Sequence, residues 1–145
     1  METIRFLDEN GTFELKNPET VSGLYFPLAS ETGLKSAVAP DLAGDSKLDQ
    51  ESFLLEPVSI EDLRNSRGTR NFWCVTEKGC WSATGVSAEQ EAARFTPEQD
   101  ESRLTAGFLW QSVRRASKRY GLQAELTSFV PPDENVEILE ARVTN

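Results

Sequence analysis

The chain has 145 residues, 38% of them hydrophobic and 27% charged, as is typical of one globular domain with its own core. Its formal net charge of −9 disfavours a nucleic-acid-binding role, because the phosphate backbone selects basic surfaces. No apolar run is long enough to span a membrane, and the N-terminus lacks the features of a signal peptide, so we expect a cytoplasmic protein.

Short strands are predicted through the first third of the chain. Asn10-Gly11 is a strong hairpin turn that joins predicted strands over residues 4–8 and 12–16. A strand over residues 23–28 is interrupted by Pro27, which places it at a sheet edge or a bulge. The other strands predicted in this part of the chain cover residues 33–39 and 53–57.

The segment 40–47 is predicted to be a loop. A solvated turn is the main interpretation of its charged side chains and ligand binding is the alternative; they are Asp41, Asp45 and Lys47. Farther along, Ser59 and Asp62 resemble a capping box, which predicts a short helix near residues 60–65.

Residues 70–85 carry the clearest β-hairpin pattern, in which aromatic and β-branched residues flank a short polar turn. A three-residue loop that ends at Gly79 would place Val75 opposite Trp81. One face of the hairpin would then hold Trp73, Val75, Trp81 and Ala83. We expect this face to be core, and the alternative is that one tryptophan lines a sugar-binding surface.

The hairpin also carries both cysteines. In the predicted register Cys74 and Cys80 form a diagonal pair about 7–8 Å apart, which is too far for a disulfide. We therefore predict two free thiols. The chain has no histidine, which excludes Ser-His-Asp and Cys-His catalysis and removes the commonest zinc ligand.

After the hairpin, two N-cap patterns predict a short helix or turn: Ser87 with Gln90, and Thr96-Pro97 with Gln99. The apolar spacing over residues 103–118 fits either a helix or a strand. A basic cluster ends this segment, with a solvated face as the main interpretation and a phosphate or phosphosugar contact as the alternative. Its members are Arg114, Arg115, Lys118 and Arg119.

The last part of the chain alternates between apolar and polar residues. This pattern predicts a strand over residues 122–130, a turn over 131–135 and a second strand over 136–144. The alternation shifts within the second strand, which predicts a β-bulge there.

Three stretches resemble the N-terminal β-sandwich domain of the cellobiose-phosphorylase family of inverting glycoside phosphorylases. They are Arg70-Asn71-Phe72-Trp73 with Gly79-Cys80-Trp81-Ser82; Glu101 to Phe108; and Tyr120-Gly121-Leu122 through Phe129-Val130-Pro131, continued by Asp133 to Ile138 and by Thr144-Asn145. The relatives include chitobiose phosphorylase, β-1,2-oligoglucan phosphorylase and the phosphorylase-like part of cyclic β-1,2-glucan synthase. The sequence departs from the family at Leu104-Thr105, where many members have His-Gly.

The resemblance implies a mainly β fold, an antiparallel β-sandwich of the supersandwich, galactose-mutarotase-like kind with one or two short helices, complete or in part. It favours strands over residues 103–118. It also implies that residues 1–145 are a single N-terminal sandwich domain, or a fragment of a larger enzyme, without the catalytic (α/α)6 barrel that follows the sandwich in the family.

For function, the resemblance implies a non-catalytic domain of an enzyme that cleaves β-linked gluco-oligosaccharides with inorganic phosphate as co-substrate. The implied partners are the oligosaccharide, a C-terminal barrel domain or subunit, and a second copy in a homodimeric full-length enzyme. We assign no catalytic residue, metal site or cofactor to this chain, and we expect no nucleic-acid or membrane partner.

The alternative function is a free-standing carbohydrate-binding module. Sugar faces stack on exposed aromatic rings, so Trp73, Trp81 and Trp110 are its candidate contacts, with Trp81 the one expected to be buried. Across both hypotheses the predicted substrate-binding residues are Arg70, Trp73, Arg103 and Trp110.

Overall fold

The computed structural model describes residues 4–21, 23–55 and 70–145, and these residues form antiparallel strands with one short α-helix. The strands are β1 (Arg5–Phe6), β2 (Phe13–Lys16), β3 (Phe26–Ala29), β4 (Lys35–Val38), β5 (Gly44–Lys47), β6 (Phe53–Leu55), β7 (Trp73–Thr76), β8 (Gly79–Ser82), β9 (Glu101–Gly107), β10 (Trp110–Ser117), β11 (Leu122–Phe129) and β12 (Ile138–Thr144). The α-helix, α1, covers Ala88–Ala93, and a 3-10 turn covers Pro18–Thr20.

Two sheets face each other across the core. The larger sheet has six strands in the order β1-β2-β9-β10-β11-β12, and the smaller has four in the order β3-β4-β5-β6. Inward residues of the larger sheet, such as Leu104, Val113 and Leu126, lie side by side in the strand register and are fully buried. Leu28 and Val38 of the smaller sheet are buried as well. This arrangement confirms the predicted mainly β, antiparallel, sandwich-like fold.

The core divides into two clusters. The larger cluster joins the smaller sheet to β8 and β11; its buried members are Leu28, Leu34, Val38, Leu42, Trp81, Ala83, Ala124, Leu126 and Val130. The second cluster lies between β2, β9, β10 and β3; its buried members are Leu15, Phe26, Leu104, Ala106 and Val113. The N-terminal hairpin therefore packs on strands that lie far away in the sequence, since Leu15 pairs with Leu104.

The structure confirms several predicted elements. Gly11 has a φ of 84° in the first hairpin turn, which favours glycine, and β1 and β2 pair across it. Pro27 lies in β3, an edge strand, where its missing N–H costs no ladder hydrogen bond. The ambiguous segment 103–118 falls almost entirely within β9 and β10, as the family resemblance implies.

The helix α1 begins with the predicted capping box. Ser87 Oγ accepts a hydrogen bond from the backbone N–H of Gln90, and Gln90 Oε1 accepts one from the backbone N–H of Ser87. The Thr96-Pro97 pattern forms a turn, in which Thr96 Oγ1 accepts from the backbone N–H of Glu98. The helix expected near residues 60–65 lies outside the described residues.

The hairpin formed by β7 and β8 corrects the predicted register. Val75 pairs with Cys80 and Cys74 with Trp81, so the loop contains two residues rather than three. Directly opposite side chains point to the same side of a hairpin, so Trp81 shares its face with Cys74 and not with Trp73 and Val75. Trp81 is buried with Ala83, whereas Trp73 and Val75 are exposed on the opposite face. The predicted four-residue face is therefore wrong, and the predicted burial of Trp81 is confirmed.

The same register corrects the argument about the cysteines. Cys74 faces the core beside Trp81, and Cys80 lies on the exposed face opposite Val75. Both are free, as predicted, but because they lie on opposite faces and not because they form a diagonal pair.

Two further predictions are wrong. Residues 44–47 of the predicted loop form β5, in which Gly44 lies so close to β4 that a Cβ there would be 1.8 Å from the carbonyl oxygen of Ala37. The predicted bulge in the last strand is also wrong, because the register of β11 and β12 runs without a shift from Phe129 opposite Ile138 to Gln123 opposite Thr144. The shift in alternation arises because the strand begins at Ile138, after Val136.

Among the described residues, no helix is long and apolar enough to cross a membrane.

Candidate functional site

Two of the four predicted contact residues, Arg103 and Trp110, lie on the outer face of the six-stranded sheet. Arg103 Nη1 is 2.7 Å from Glu14 Oε1, and its hydrogen bond to Glu14 holds the pKa of that carboxyl below its ordinary value. The indole of Trp110 lies over Gly107, where an added Cβ would be 2.5 Å from Nε1. The indole is half-buried, because one side of the ring packs against the sheet at Gly107.

Arg70 is buried, and the protein already occupies its guanidinium. It forms a two-pronged ion pair with Glu137, in which Nη2 lies 2.8 Å from Oε2. It also donates to Ser36 Oγ at 2.8 Å and to the backbone carbonyls of Leu42 and Asp45. These contacts join the start of the β7–β8 hairpin to the smaller sheet and to the segment before β12 and leave few donors for a sugar.

Trp73 lies on the exposed face of the hairpin beside Val75, with 45% of its surface accessible. The four predicted contact residues thus occupy three separate places, and only Arg103 and Trp110 share a face. The structure does not bring them together into one site.

A pocket of about 320 Å³ lies instead between α1, β8 and the turn that joins β10 to β11, within the size range of small-molecule sites. Its lining combines three carboxylates with aromatic and amide side chains; the residues are Trp81, Glu89, Gln90, Ala93, Glu98, Asp100, Ser117, Arg119 and Tyr120. The pocket forms because the capping box fixes the start of α1 against the buried end of the hairpin.

Asp100 is held on one side of the pocket by two donors. Trp81 Nε1 and Gln90 Nε2 each donate to Asp100 Oδ2 at 2.8 Å. The same amide of Gln90 donates to the carbonyl of Ser82, while its oxygen accepts from Ser87 in the capping box. The carboxylate of Asp100 is therefore held by side chains that have their own hydrogen bonds or are buried. Its Oδ1 has no hydrogen bond among those found in the described part of the chain.

Glu89, Arg119 and Tyr120 form a second group of polar side chains in the lining of the pocket. Glu89 and Arg119 form an ion pair, and the Arg119 guanidinium lies over the Tyr120 ring at 5.4 Å from its centroid. Tyr120 Oη lies 3.4 Å from Glu89 Oε2 and 3.3 Å from the carbonyl oxygen of Cys80. The pocket thus presents carboxylate acceptors, a guanidinium donor and an aromatic ring to a ligand.

A second polar cluster lies next to the pocket in the interior. Arg115 is 4% exposed and its Nη1 lies 3.3 Å from Glu19 Oε1, which also accepts from Gln99, while Ser102 donates to Glu19 Oε2. Burial alone would raise the pKa of Glu19, but the charge of Arg115 and the hydrogen bonds from Ser102 and Gln99 outweigh it and hold that pKa below its ordinary value.

The basic cluster of the sequence therefore divides. Arg115 points inward and pairs with Glu19, so a solvated face is the wrong interpretation for this residue. Its neighbours Arg114, Lys118 and Arg119 are exposed, and Arg119 reaches the pocket.

Sequence reasoning missed the central residues of the pocket, which are Glu89, Asp100 and Tyr120. They come from three separate segments, and each is an ordinary polar residue in its own segment. The one available signal was the pair Ser87 and Gln90, which predicts the helix start that positions the Gln90 amide.

No protein-family model matches the chain, and a search of curated proteins finds no match either. The case for function therefore depends on the fold, on the pocket and on the sequence resemblance described above.

Proposed function

We propose that this chain is a non-catalytic, carbohydrate-binding β-sandwich domain of a glycoside phosphorylase, and that the pocket beside α1 binds a unit of a β-linked gluco-oligosaccharide. The observation that carries the proposal is the lining of that pocket. Its carboxylates and amide can accept and donate hydrogen bonds to sugar hydroxyls, and its aromatic and apolar side chains can contact the C–H surface of the sugar.

The positions of the polar groups support binding. Asp100 is fixed by Trp81 and Gln90 before any ligand arrives, so little ordering entropy is lost when a hydroxyl donates to its carboxylate. Glu89 and Arg119 already pair with each other, and a sugar with adjacent hydroxyls can bridge such a pair by donating to one and accepting from the other.

The parent enzyme would use inorganic phosphate to release a sugar 1-phosphate, with catalysis in an (α/α)6 barrel outside this chain. We expect no sugar 1-phosphate above a buffer control when the chain is incubated with phosphate and β-linked gluco-oligosaccharides. Turnover would overturn the assignment of catalysis to a separate domain.

Binding can be tested by calorimetric or NMR titration with β-1,2-, β-1,3- and β-1,4-linked gluco-oligosaccharides. Asp100→Asn keeps the shape of the side chain but removes its charge, and we expect binding about tenfold weaker, since a hydrogen bond to a charged group is worth about 1.5–3 kcal/mol. The matched control is Glu134→Gln, an exposed acid-to-amide change in the turn before β12.

A second candidate site is the outer face of the six-stranded sheet, because Trp110 presents a half-exposed indole there beside polar side chains. Trp110→Ala distinguishes the two sites. If Trp110→Ala abolishes binding and Asp100→Asn leaves it unchanged, the sugar binds on the outer face and the pocket assignment is wrong. If none of the oligosaccharides binds, the carbohydrate-binding function itself is wrong.

A further inference from the structure

Strand β12 is the longest edge strand of the six-stranded and four-stranded sheets in the described part of the chain. The other edge strands are shortened or interrupted: β1 has two residues, β6 has three, and β3 contains Pro27. In contrast, β12 has seven residues in continuous register with β11, without proline, lysine or a bulge. Proteins commonly use those devices to prevent edge-to-edge pairing, so within the described ranges 4–21, 23–55 and 70–145 the edge of β12 is available to a further strand.

The sequence of β12 is complementary to itself when two copies run antiparallel about Ala141. Each Glu140 then lies directly opposite Arg142 of the other copy, and each Leu139 lies opposite Val143. The charged pair is on the outer face, where Arg142 Nε lies 2.7 Å from Glu140 Oε1 within one copy. The apolar pair continues the inner face, on which Val143 is 46% exposed.

We propose that the edge of β12 is a self-association surface, on which a second copy of this chain pairs through its own β12 to form a continuous twelve-stranded sheet. The two-fold axis passes through the paired Ala141 residues, so the interface is isologous. Seven-residue strands in this register gain about six to eight backbone hydrogen bonds across the new ladder.

The charges of β12 favour this register of two copies over the neighbouring antiparallel registers. A shift of two residues would place Arg142 opposite Arg142 or Glu140 opposite Glu140, and like charges directly opposite are destabilising. A shift of one residue would turn the apolar positions of one copy towards the outer face. The interface is small, so we expect a dissociation constant in the micromolar range.

Sedimentation equilibrium of the whole chain over a range of concentrations tests the proposal. We expect a monomer–dimer equilibrium that Glu140→Arg weakens at least tenfold, because two pairs of arginines then face each other. Arg142→Glu has the same effect through paired glutamates. The matched control is Glu77→Arg, the same charge change in the exposed β7–β8 turn, which leaves dimerisation unchanged.

The decisive arm mixes the two single variants. Glu140→Arg in one copy faces Arg142→Glu in the other, so opposite charges are restored at both pairs and a heterodimer forms from two monomeric variants. The double variant E140R/R142E dimerises with itself for the same reason. If the single variants were monomeric because they were misfolded, mixing them would not restore a dimer. Circular dichroism checks the folding of each variant separately.

The register is tested by Ala141→Cys in a chain whose native cysteines are replaced by serine. Directly opposite Cα atoms lie about 4.5–5.5 Å apart, within the range of a disulfide, so oxidation should give a covalent dimer. A chain that remains monomeric at millimolar concentration would overturn the proposal. So would a dimer that tolerates both charge reversals, or one that the mixed variants fail to rescue.

Discussion

The two faces of the β7–β8 hairpin have the same backbone and similar residue types but opposite environments. Trp81 on the inner face is 1% exposed and donates to Asp100, whereas Trp73 on the outer face is 45% exposed and no hydrogen bond of its indole is found in the described part of the chain. Cys74 is partly buried beside Trp81, and Cys80 is exposed beside Val75. A tryptophan on a β-hairpin is thus placed by the register of one turn, and its residue type alone does not tell whether it serves the core.

The strongest test of this comparison is Trp81→Ala. We expect the free energy of unfolding to fall by about 3–5 kcal/mol, because the change removes a large buried side chain and leaves a cavity in the main core cluster. Urea unfolding followed by circular dichroism measures the loss. A change below about 1 kcal/mol would be typical of a surface position and would contradict the inner-face assignment.

Trp81→Phe separates the two contributions of this side chain. Phenylalanine keeps much of the apolar burial but cannot donate to Asp100, so we expect a loss of about 1.5–3 kcal/mol, the net value of a hydrogen bond to a charged group. The same urea titration applies, with Asp100→Asn in a double-mutant cycle. If the indole–carboxylate bond contributes to stability, the two changes together cost less than the sum of their separate costs.

The reaction rates of the two cysteines allow the two faces of the hairpin to be compared without any mutation. Burial raises the pKa of the Cys74 thiol, which lowers its thiolate fraction, and the core cluster also restricts access to it. In the native protein near pH 8 we expect Cys80 to react with iodoacetamide at least about tenfold faster than Cys74. Mass spectrometry of the peptides measures both rates, and equal rates would show that the two faces are equally open. In denaturant, without reductant, both thiols should react.

The smallest effect is expected for Trp73→Ala. An exposed side chain leaves no closed cavity when it is removed, so the free energy of unfolding should change by less than about 1 kcal/mol. Urea unfolding beside the Trp81→Ala protein gives a direct contrast between the faces. A loss as large as that of Trp81→Ala would mean that the outer face is covered in solution, and the association state should then be measured.

Part of this fold could be predicted because its strands alternate cleanly. The pattern over residues 122–130 and the turn at Asn10-Gly11 each have a local cause, so the sequence alone predicts them. The hairpin register required a choice between a two-residue and a three-residue loop. Gly79 fits both, since its φ of 119° favours glycine at the first position of β8 as well as at the end of a loop.

Other features depend on contacts that no local pattern encodes. The strand β5 reads Gly-Asp-Ser-Lys, a sequence of low β propensity, and it is a strand because it pairs with β4 and β6. The pocket residues Glu89, Asp100 and Tyr120 meet only after the sandwich has formed. The inward position of Arg115 could have been predicted from the alternation of a strand. It lies two residues after the buried Val113, and such residues point to the same face.

The buried ion pair of Arg115 and Glu19 couples folding to proton release. The pKa of Glu19 is held below its ordinary value of 4.5, so the folded chain releases this proton more readily than the unfolded chain. The stability that the pair contributes is therefore fully present above about pH 4.5 and is lost as the pH falls through the lower, folded pKa. Between pH 6 and pH 3 the wild-type protein should lose more stability in urea than Glu19→Gln, and equal losses would show that this carboxyl is not linked to folding.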